Sequence, residues 1–269
     1  MFRGFYTAAS GMMTQSRRTD VLTNNIANKN TPGYKADQTA TKSFPNYLIE
    51  RLQKGNSENL GRLSSGAYVQ ETVPDFTSGS LKETNRSTDL ALMGNNIPGD
   101  ADTGRPGAVF FTVEGSDGNR RYTRNGQLTL DGTGQLTTAK GQPVLGTNGQ
   151  PIQLASQNFN VDASGRVFEE GQFTGRQVQV AYAANPYDLV KDGSGLYHLE
   201  GDGLLPQANN NDNISFNIKQ GFLEQSNVAL EESMTNLSNS YRLFEANQKI
   251  LKAYDRSMQL AATKVGRLG

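Results

Sequence analysis

The sequence predicts an α+β chain: long N- and C-terminal helices that pair as a coiled-coil-like stalk, with a central, mainly antiparallel β domain between them in sequence. Three observations carry this expectation. Of the 29 glycines, 23 fall between Gly61 and Gly221, so the ends are nearly free of a residue that weakens helices. Apolar residues recur at helical spacing at both ends. All six Asn/Asp-Gly dipeptides lie between Asp117 and Gly203, where they mark turns between short strands.

At the N-terminus, Met1, Phe5, Ala8, Met12, Leu22 and Ile26 fall on a 3–4 spacing, with Gln15 and Thr19 polar between them. That stripe predicts a helix from about Arg3 to Asn28. It should stop by Thr31-Pro32-Gly33, because Pro32 disfavours helical geometry at the preceding residue and Gly33 permits positive φ. Residues 36–85 are frequent in Gly, Ser, Asn and Gln and read as an extended connector, with a possible short helix at Asn46–Gln53.

Residues 86–221 read as β. Val109–Val113, Arg121–Arg124, Gln127–Leu130, Gln135–Thr138, Val144-Leu145, Ile152–Leu154, Phe159–Val161 and Val178–Ala183 are short apolar or alternating runs separated by turns. Such spacing indicates an antiparallel sandwich or barrel.

In residues 222–269, Leu230, Leu237, Phe244, Leu251, Met258 and Val265 recur every seven positions. Met234, Tyr241 and Ala262 extend the companion positions, which Gln248 and Asp255 interrupt. The pattern predicts a helix of up to about 45 residues, near 68 Å long at about 1.5 Å per residue. It fits a core helix of a bundle or a helix packed along a partner, and the N-terminal helix is the simplest partner. The expected segments are therefore 1–35, 36–85, 86–221 and 222–269. The polar positions within both seams suggest further contacts with neighbouring molecules.

Composition excludes much chemistry. Lys plus Arg and Asp plus Glu are 26 each, a balance that argues against nucleic-acid binding. There is no cysteine and one histidine, which removes thiol nucleophiles, disulfides, zinc ribbons and any site needing two imidazoles. No apolar run approaches the length of a membrane span. Arg3, Thr7 and Ser10 interrupt the first residues, so no signal-peptide pattern is seen, and composition alone reads as cytosolic.

The candidate reactive groups are poor ones. His198 and Glu200 would share one face of a strand, without a nucleophile or metal partner, and read as a surface pair. Asp100-Ala-Asp102-Thr-Gly104 starts like a calcium loop, but Phe111 stands where the closing Glu belongs. Gly132-Thr-Gly134 is not followed by a helical pattern and reads as a turn. Glu169-Glu170 and Glu231-Glu232 are adjacent pairs whose side chains diverge. No catalytic, cofactor or metal site is expected, and neither a nucleic acid nor a small-molecule substrate.

The two ends carry a recognisable pattern. Ser10-Gly11-Met12, Asp20-Val-Leu-Thr-Asn24-Asn25-Ile-Ala-Asn28 and Asn30-Thr-Pro32-Gly33-Tyr34-Lys35 resemble the N-terminal signature of bacterial flagellar rod and hook proteins. Gly221-Phe-Leu-Glu-Gln-Ser-Asn-Val228 and Tyr241-Arg-Leu-Phe-Glu-Ala-Asn-Gln-Lys249 are similar to the C-terminal signature. Thr88–Leu92, Phe110–Val113, Tyr122–Gly126 and Val144–Gly146 look like the β-domain motifs of the rod-type members. The polar stretch Asn95–Ala108 departs from that pattern as an insertion, expected on the surface.

The resemblance implies a non-enzymatic axial subunit. It implies export through the flagellar type III apparatus without a cleaved signal peptide, and a place in the basal body outside the cytoplasmic membrane, against the cytosolic reading. It implies a helical polymer of the chain with itself, joined to other rod and hook axial proteins, in a hollow shaft that transmits torque. Met12, Leu22, Ile26, Leu230, Leu237, Phe244, Leu251 and Met258 would form the assembly seam. Asn24, Asn25, Asn28 and Asn30, with Pro32, Gly33 and Tyr34, would form a turn that satisfies backbone groups at the helix end. An extracellular or phage-tail-like β interaction module with helical oligomerisation arms is the alternative. A polysaccharide-acting β protein would need two carboxylates held about 5–10 Å apart in a groove.

Overall fold

The computed structural model describes residues 3–45, 47–53, 56–63, 66–95, 97–100, 104–193, 195–201 and 203–265. The chain forms two compact units. The first comprises Met1–Ala27, Asp37–Pro74 and Val228–Gly269, and the second Asn28–Ala36 with Asp75–Asn227.

The first unit holds α1 (Arg3–Ala27), β1 (Asp37–Ser43), β2 (Tyr47–Gln53), β3 (Asn56–Leu63), β4 (Ala67–Pro74) and α2 (Leu230–Val265). β1 pairs with β4 and β2 with β3, both antiparallel. Within the span expected as a possible short helix, residues 47–53 are strand; Asn46 lies outside the described residues. The reason is pairing: a seven-residue strand satisfies its backbone along β3, whereas so short a helix leaves most of its terminal groups without partners.

The helices pack against each other, and small residues of α1 set the approach. A methyl at Gly11 would lie 2.9 Å from Asn247 Nδ2, and one at Gly4 would collide with the Tyr254 ring. Seven residues forward in α1 answer to seven backward in α2, so the helices run antiparallel. Leu230, Leu237, Phe244, Leu251 and Met258 are half-buried. Their companions are different from those expected. Ser233 and Ser240 are buried and Asn247 and Tyr254 half-buried, while Met234 and Tyr241 are each 53% exposed and Ala262 is exposed. Ser233, Ser240, Asn247 and Tyr254 lie three residues after a heptad position rather than four, and the α1 glycines at Gly4 and Gly11 leave the room that Tyr254 and Asn247 occupy.

α2 also starts later than the C-terminal segment expected to carry it. Gly221 takes φ +78°, and Phe222–Glu224 pairs with Leu81–Glu83 as strand before the helix begins.

The second unit contains β5 (Leu81–Glu83), β6 (Leu90–Asn95), β7 (Ala108–Glu114), β8 (Arg120–Thr123), β9 (Leu128–Leu130), β10 (Leu136–Thr138), β11 (Phe159–Val161), β12 (Arg166–Glu169), β13 (Gln172–Gln177), β14 (Val180–Ala183), β15 (Leu189–Lys191), β16 (Leu196–Leu199), β17 (Ser215–Gln220) and β18 (Phe222–Glu224). The largest sheet has the order β14-β7-β8-β16-β15, beside β11-β12-β13 and the pairs β9-β10, β6-β17 and β5-β18. All pairings are antiparallel.

β7 is buried on both faces. Val109, Phe111 and Val113 enter a core with Leu90, Leu92, Leu128, Leu136 and Val178. Ala108 and Phe110 face a second cluster with Tyr122, Leu189 and Tyr197. Each fully buried aliphatic or Phe side chain contributes about 1.5–3 kcal/mol, so β7 is a main contributor to the core of the unit. The Asn95–Ala108 stretch is not wholly superficial: Pro98, Gly99, Arg105 and Pro106 are exposed, but Ile97 packs on the core.

The Asn/Asp-Gly glycines are not all used alike. Gly118, Gly149 and Gly193 take positive φ, as hairpin glycines do. Gly126 does not; it is there because the chain passes against β6, where a Cβ would collide with the Leu90 carbonyl oxygen. Leu90 N donates to Gly126 O at 3.0 Å across the same approach. Replacing Gly126 with Ala should therefore destabilise the second unit by about 1–3 kcal/mol, the range for forced overpacking. Urea unfolding checks this, and an unchanged midpoint would contradict it.

Candidate functional site

The densest polar constellation lies inside the second unit, where β18 ends, β8 ends and the loop 33–36 passes between them. Glu224 is 2% exposed, Lys35 1% and Arg124 5%. Glu224 Oε1 accepts from Lys35 Nζ at 2.7 Å and from the Gly79 backbone N–H at 3.0 Å. Its Oε2 accepts from Arg124 Nε at 2.9 Å and Nη2 at 2.6 Å. Arg124 also donates to the Val109 and Leu92 carbonyls, each at 2.8 Å, and Lys35 to the Thr77 carbonyl at 2.7 Å.

The backbone continues the join. Gly33 N donates to Glu224 O at 2.8 Å, and Ala36 N to Asn227 Oδ1 at 2.8 Å. Asn227 Nδ2 donates in turn to the Asp75 carbonyl at 2.8 Å. Gly33 takes φ +67°, and a Cβ there would collide with the Arg124 backbone. Only glycine lets the loop lie this close.

Two cations share one anion in a dry site. Burial alone would raise the Glu224 carboxyl, but the Arg124 and Lys35 charges, with hydrogen bonds from Lys35 and Gly79, outweigh it and hold the group below its usual range. Burial lowers the Lys35 ammonium, aided by repulsion from Arg124, against the attraction of Glu224. The arrangement offers no nucleophile. It is a fixed electrostatic clasp between segments distant in sequence.

The residues singled out from sequence are distributed around this clasp unevenly. Gly33 belongs to it; Pro32 and Tyr34 flank it, with the Lys191 ammonium 4.8 Å from the centre of the Tyr34 ring. Asn28 O accepts from Thr31 N at 3.0 Å, and its side chain from the Thr31 hydroxyl at 3.2 Å, which closes the turn. In the first unit Asn25 is buried and grips the Asp37 backbone at both groups, at 2.8 and 2.9 Å. Asn24 and Asn30 are exposed. Met12, Leu22 and Ile26 are half-buried on α1.

Lys35, Arg124 and Glu224 lie within the motifs that carry the resemblance, but the sequence gives no sign that they meet. Their only local signal is a lone charge at the end of a turn or strand; nothing in the sequence pairs residues 189 and 100 positions apart.

The weaker candidates stay weak. His198 Nδ1 lies 3.9 Å from Asp192 Oδ2, which Arg121 already holds at 2.6 Å. Asp131 Oδ1 accepts from Thr133 N, the Thr133 hydroxyl and Gln135 N, so the Gly132–Gly134 stretch is a turn. Residues 101–103 of the calcium-loop-like stretch lie outside the described residues. Glu169 Oε1 accepts from Ala155 N at 2.6 Å, and Glu231 and Glu232 are exposed in the first turn of α2.

Comparison with known proteins maps onto the same constellation. Residues 5–35 match the family described as flagella basal body rod protein. Residues 106–169 match the flagellar hook protein FlgE/F/G D1 domain, and 219–263 the flagellar basal body rod FlgEFG protein C-terminal family. The flagellar hook-basal body complex protein FlhO of Bacillus subtilis strain 168 is 41% identical over 100% of both chains. The flagellar basal-body rod protein FlgG of the same organism is 32% identical, over 96% of this chain and 97% of its own. FlgF of Rhizobium meliloti is 29% identical over 99% of each. Each matched segment supplies one member of the clasp: Lys35, Arg124 and Glu224 respectively.

Glu224→Ala leaves two buried cations without their anion and should cost about 3–5 kcal/mol of stability. Because the folded-state carboxyl titrates below its ordinary value of 4.5, its contribution is full above that pH. It is lost as pH falls through the lower folded-state value. Lys35 runs the other way: its ammonium is disfavoured by burial, and that penalty eases only as pH rises toward 10.5. Thermal unfolding from pH 7 down to 3 should show a stability loss that is smaller in Glu224→Ala; parallel curves would contradict the clasp.

Proposed function

The chain belongs to the flagellar hook–basal body rod protein family and is a structural subunit of that assembly, and from this premise we propose how it serves there. It is exported through the flagellar type III apparatus without a cleaved signal peptide. Outside the cytoplasmic membrane it polymerises helically with itself and with other rod and hook axial proteins. The product is a hollow shaft that carries torque from motor to hook. No chemistry is performed on a substrate.

The observation that carries the reading is the clasp. A shaft under torsion needs its turn-forming N-terminal loop and its C-terminal strand fixed to one β body. A buried, multiply hydrogen-bonded ion triad does this rigidly. The terminal helices supply the second element: α1 and α2 pair as a coiled-coil-like stalk, with Met12, Leu22, Ile26, Leu230, Leu237, Phe244, Leu251 and Met258 as its seam. Neither stripe is apolar enough to hold a lone helix, so the pair becomes ordered by packing. A subunit that presents one surface and receives its successor on another gives a non-closing, heterologous repeat.

The decisive experiment is electron microscopy of basal bodies from a strain lacking this gene, beside its parent. A truncated rod without a hook is expected; complete rods with hooks would overturn the proposal. A second test addresses the turn. Replacing Asn25 and Asn28 with Leu removes the grip on Asp37 and the Thr31 contact, and should impair assembly. Circular dichroism of the purified variant should still report a folded β body, and normal rod counts would refute the role.

A further inference from the structure

A cleft of about 370 Å³ borders the clasp, and the clasp does not account for it. It is lined by residues 29–32, the end of β5 with the turn that follows it, Gln127 and residues 223–226, all within the second unit. Small-molecule sites occupy about 300–1,000 Å³, so the volume is that of a small ligand.

Opposite charges are held apart on this cleft. Lys29, Lys82 and Arg86 line it, all exposed, and none forms an ion pair among the described residues. Asp89 also lines it, but is 1% exposed, and its Oδ1 has no hydrogen-bond partner among the described residues. The Asp89 backbone is pinned: its N–H donates to Arg86 O at 3.1 Å, its carbonyl accepts from Gly221 N at 2.8 Å, and the residue bridges to Gln127.

The neighbouring acid supplies the contrast. Glu224 borders the same cleft, and its oxygens accept from Lys35, Gly79 and Arg124. Buried carboxylates are ordinarily satisfied in this way, because a buried charge without a partner is costly. Asp89 departs from that rule on a cleft that carries three cations which do not pair with it.

We propose that this cleft binds a small zwitterion of the α-amino-acid class, whose ammonium donates to the Asp89 carboxylate while its carboxylate faces Lys82, Arg86 and Lys29. A simple anion would neutralise the rim but be repelled by Asp89 and leave it unpaired. A simple cation would suit Asp89 but meet three like charges. A ligand bearing both signs satisfies both sides by charge-assisted hydrogen bonds. The half-buried Gln127 side chain adds a neutral amide to the same lining. This inference concerns the single subunit and stands independently of the rod reading.

Nuclear magnetic resonance of the isotope-labelled full-length chain tests it, by titration with L-alanine, sodium acetate and methylammonium chloride at constant ionic strength. L-Alanine should move the backbone amide signals of Thr84, Asp89 and Gln127 saturably. Acetate and methylammonium should each bind at least about tenfold more weakly, having forfeited one set of charge-assisted contacts. Asp89→Asn should weaken alanine binding by about tenfold and leave acetate binding equal or tighter. Lys82→Gln/Arg86→Gln should weaken alanine and acetate alike; both side chains are exposed, so this variant keeps its fold.

Acetate as tight as alanine would overturn the proposal in favour of an anion site, and methylammonium as tight as alanine in favour of a cation site. No saturable shift with alanine would overturn it outright. So would unchanged alanine affinity in Lys82→Gln/Arg86→Gln, a result that decides the matter even if Asp89→Asn fails to fold.

Discussion

The buried triad of Lys35, Glu224 and Arg124 is the constraint on which the second unit depends. Three ionised groups out of water are expensive, and apolar residues of similar volume often do as well in stability. What the triad adds is exclusivity. The Glu224 carboxylate accepts from Lys35, Gly79 and Arg124, and Arg124 is held further by two carbonyls of the core strands β6 and β7. A shifted register of β18, or a loop 33–36 seated elsewhere, would strand charge in a dry interior. The arrangement therefore selects one arrangement of loop and strand sharply, even where its net contribution to stability is modest.

The rest of the unit is organised to present those three side chains. Arg124 follows β8, whose neighbours β7 and β16 are fixed by apolar burial on both sides of the sheet. Glu224 ends a three-residue strand that exists only because β5 pairs with it. Lys35 is delivered by a turn whose glycine admits no side chain. The hydrophobic core sets the framework, and the ion triad sets where loop 33–36 and β18 attach to it.

Both helices, most β-segment strands and the turn after α1 were legible in the sequence because periodicity and turn chemistry are local. The connector was not. In residues 37–74, β1 pairs with β4 across the whole intervening segment, which no local pattern encodes, and the strand at 47–53 has a composition equally suited to a short helix. The heptad leucines of α2 were legible, but not their companions, because Ser233, Ser240 and Asn247 are chosen by the closeness of α1 and not by apolarity. The clasp was invisible for the same reason in stronger form. Lys35, Arg124 and Glu224 each look like ordinary surface charges until the fold removes the water around them.

That separation in sequence has a temporal consequence. Glu224 lies 189 residues beyond Lys35 and 100 beyond Arg124. A chain that emerges from its N-terminus therefore holds both cations long before their anion arrives. Contacts of such length form late, after the entropy of closing a long loop has been met. Until the last stretch before α2 is free, the N-terminal loop has nothing to fasten to, and the subunit cannot reach its working shape by halves. The clasp thus closes only once residue 224 is free to reach both cations.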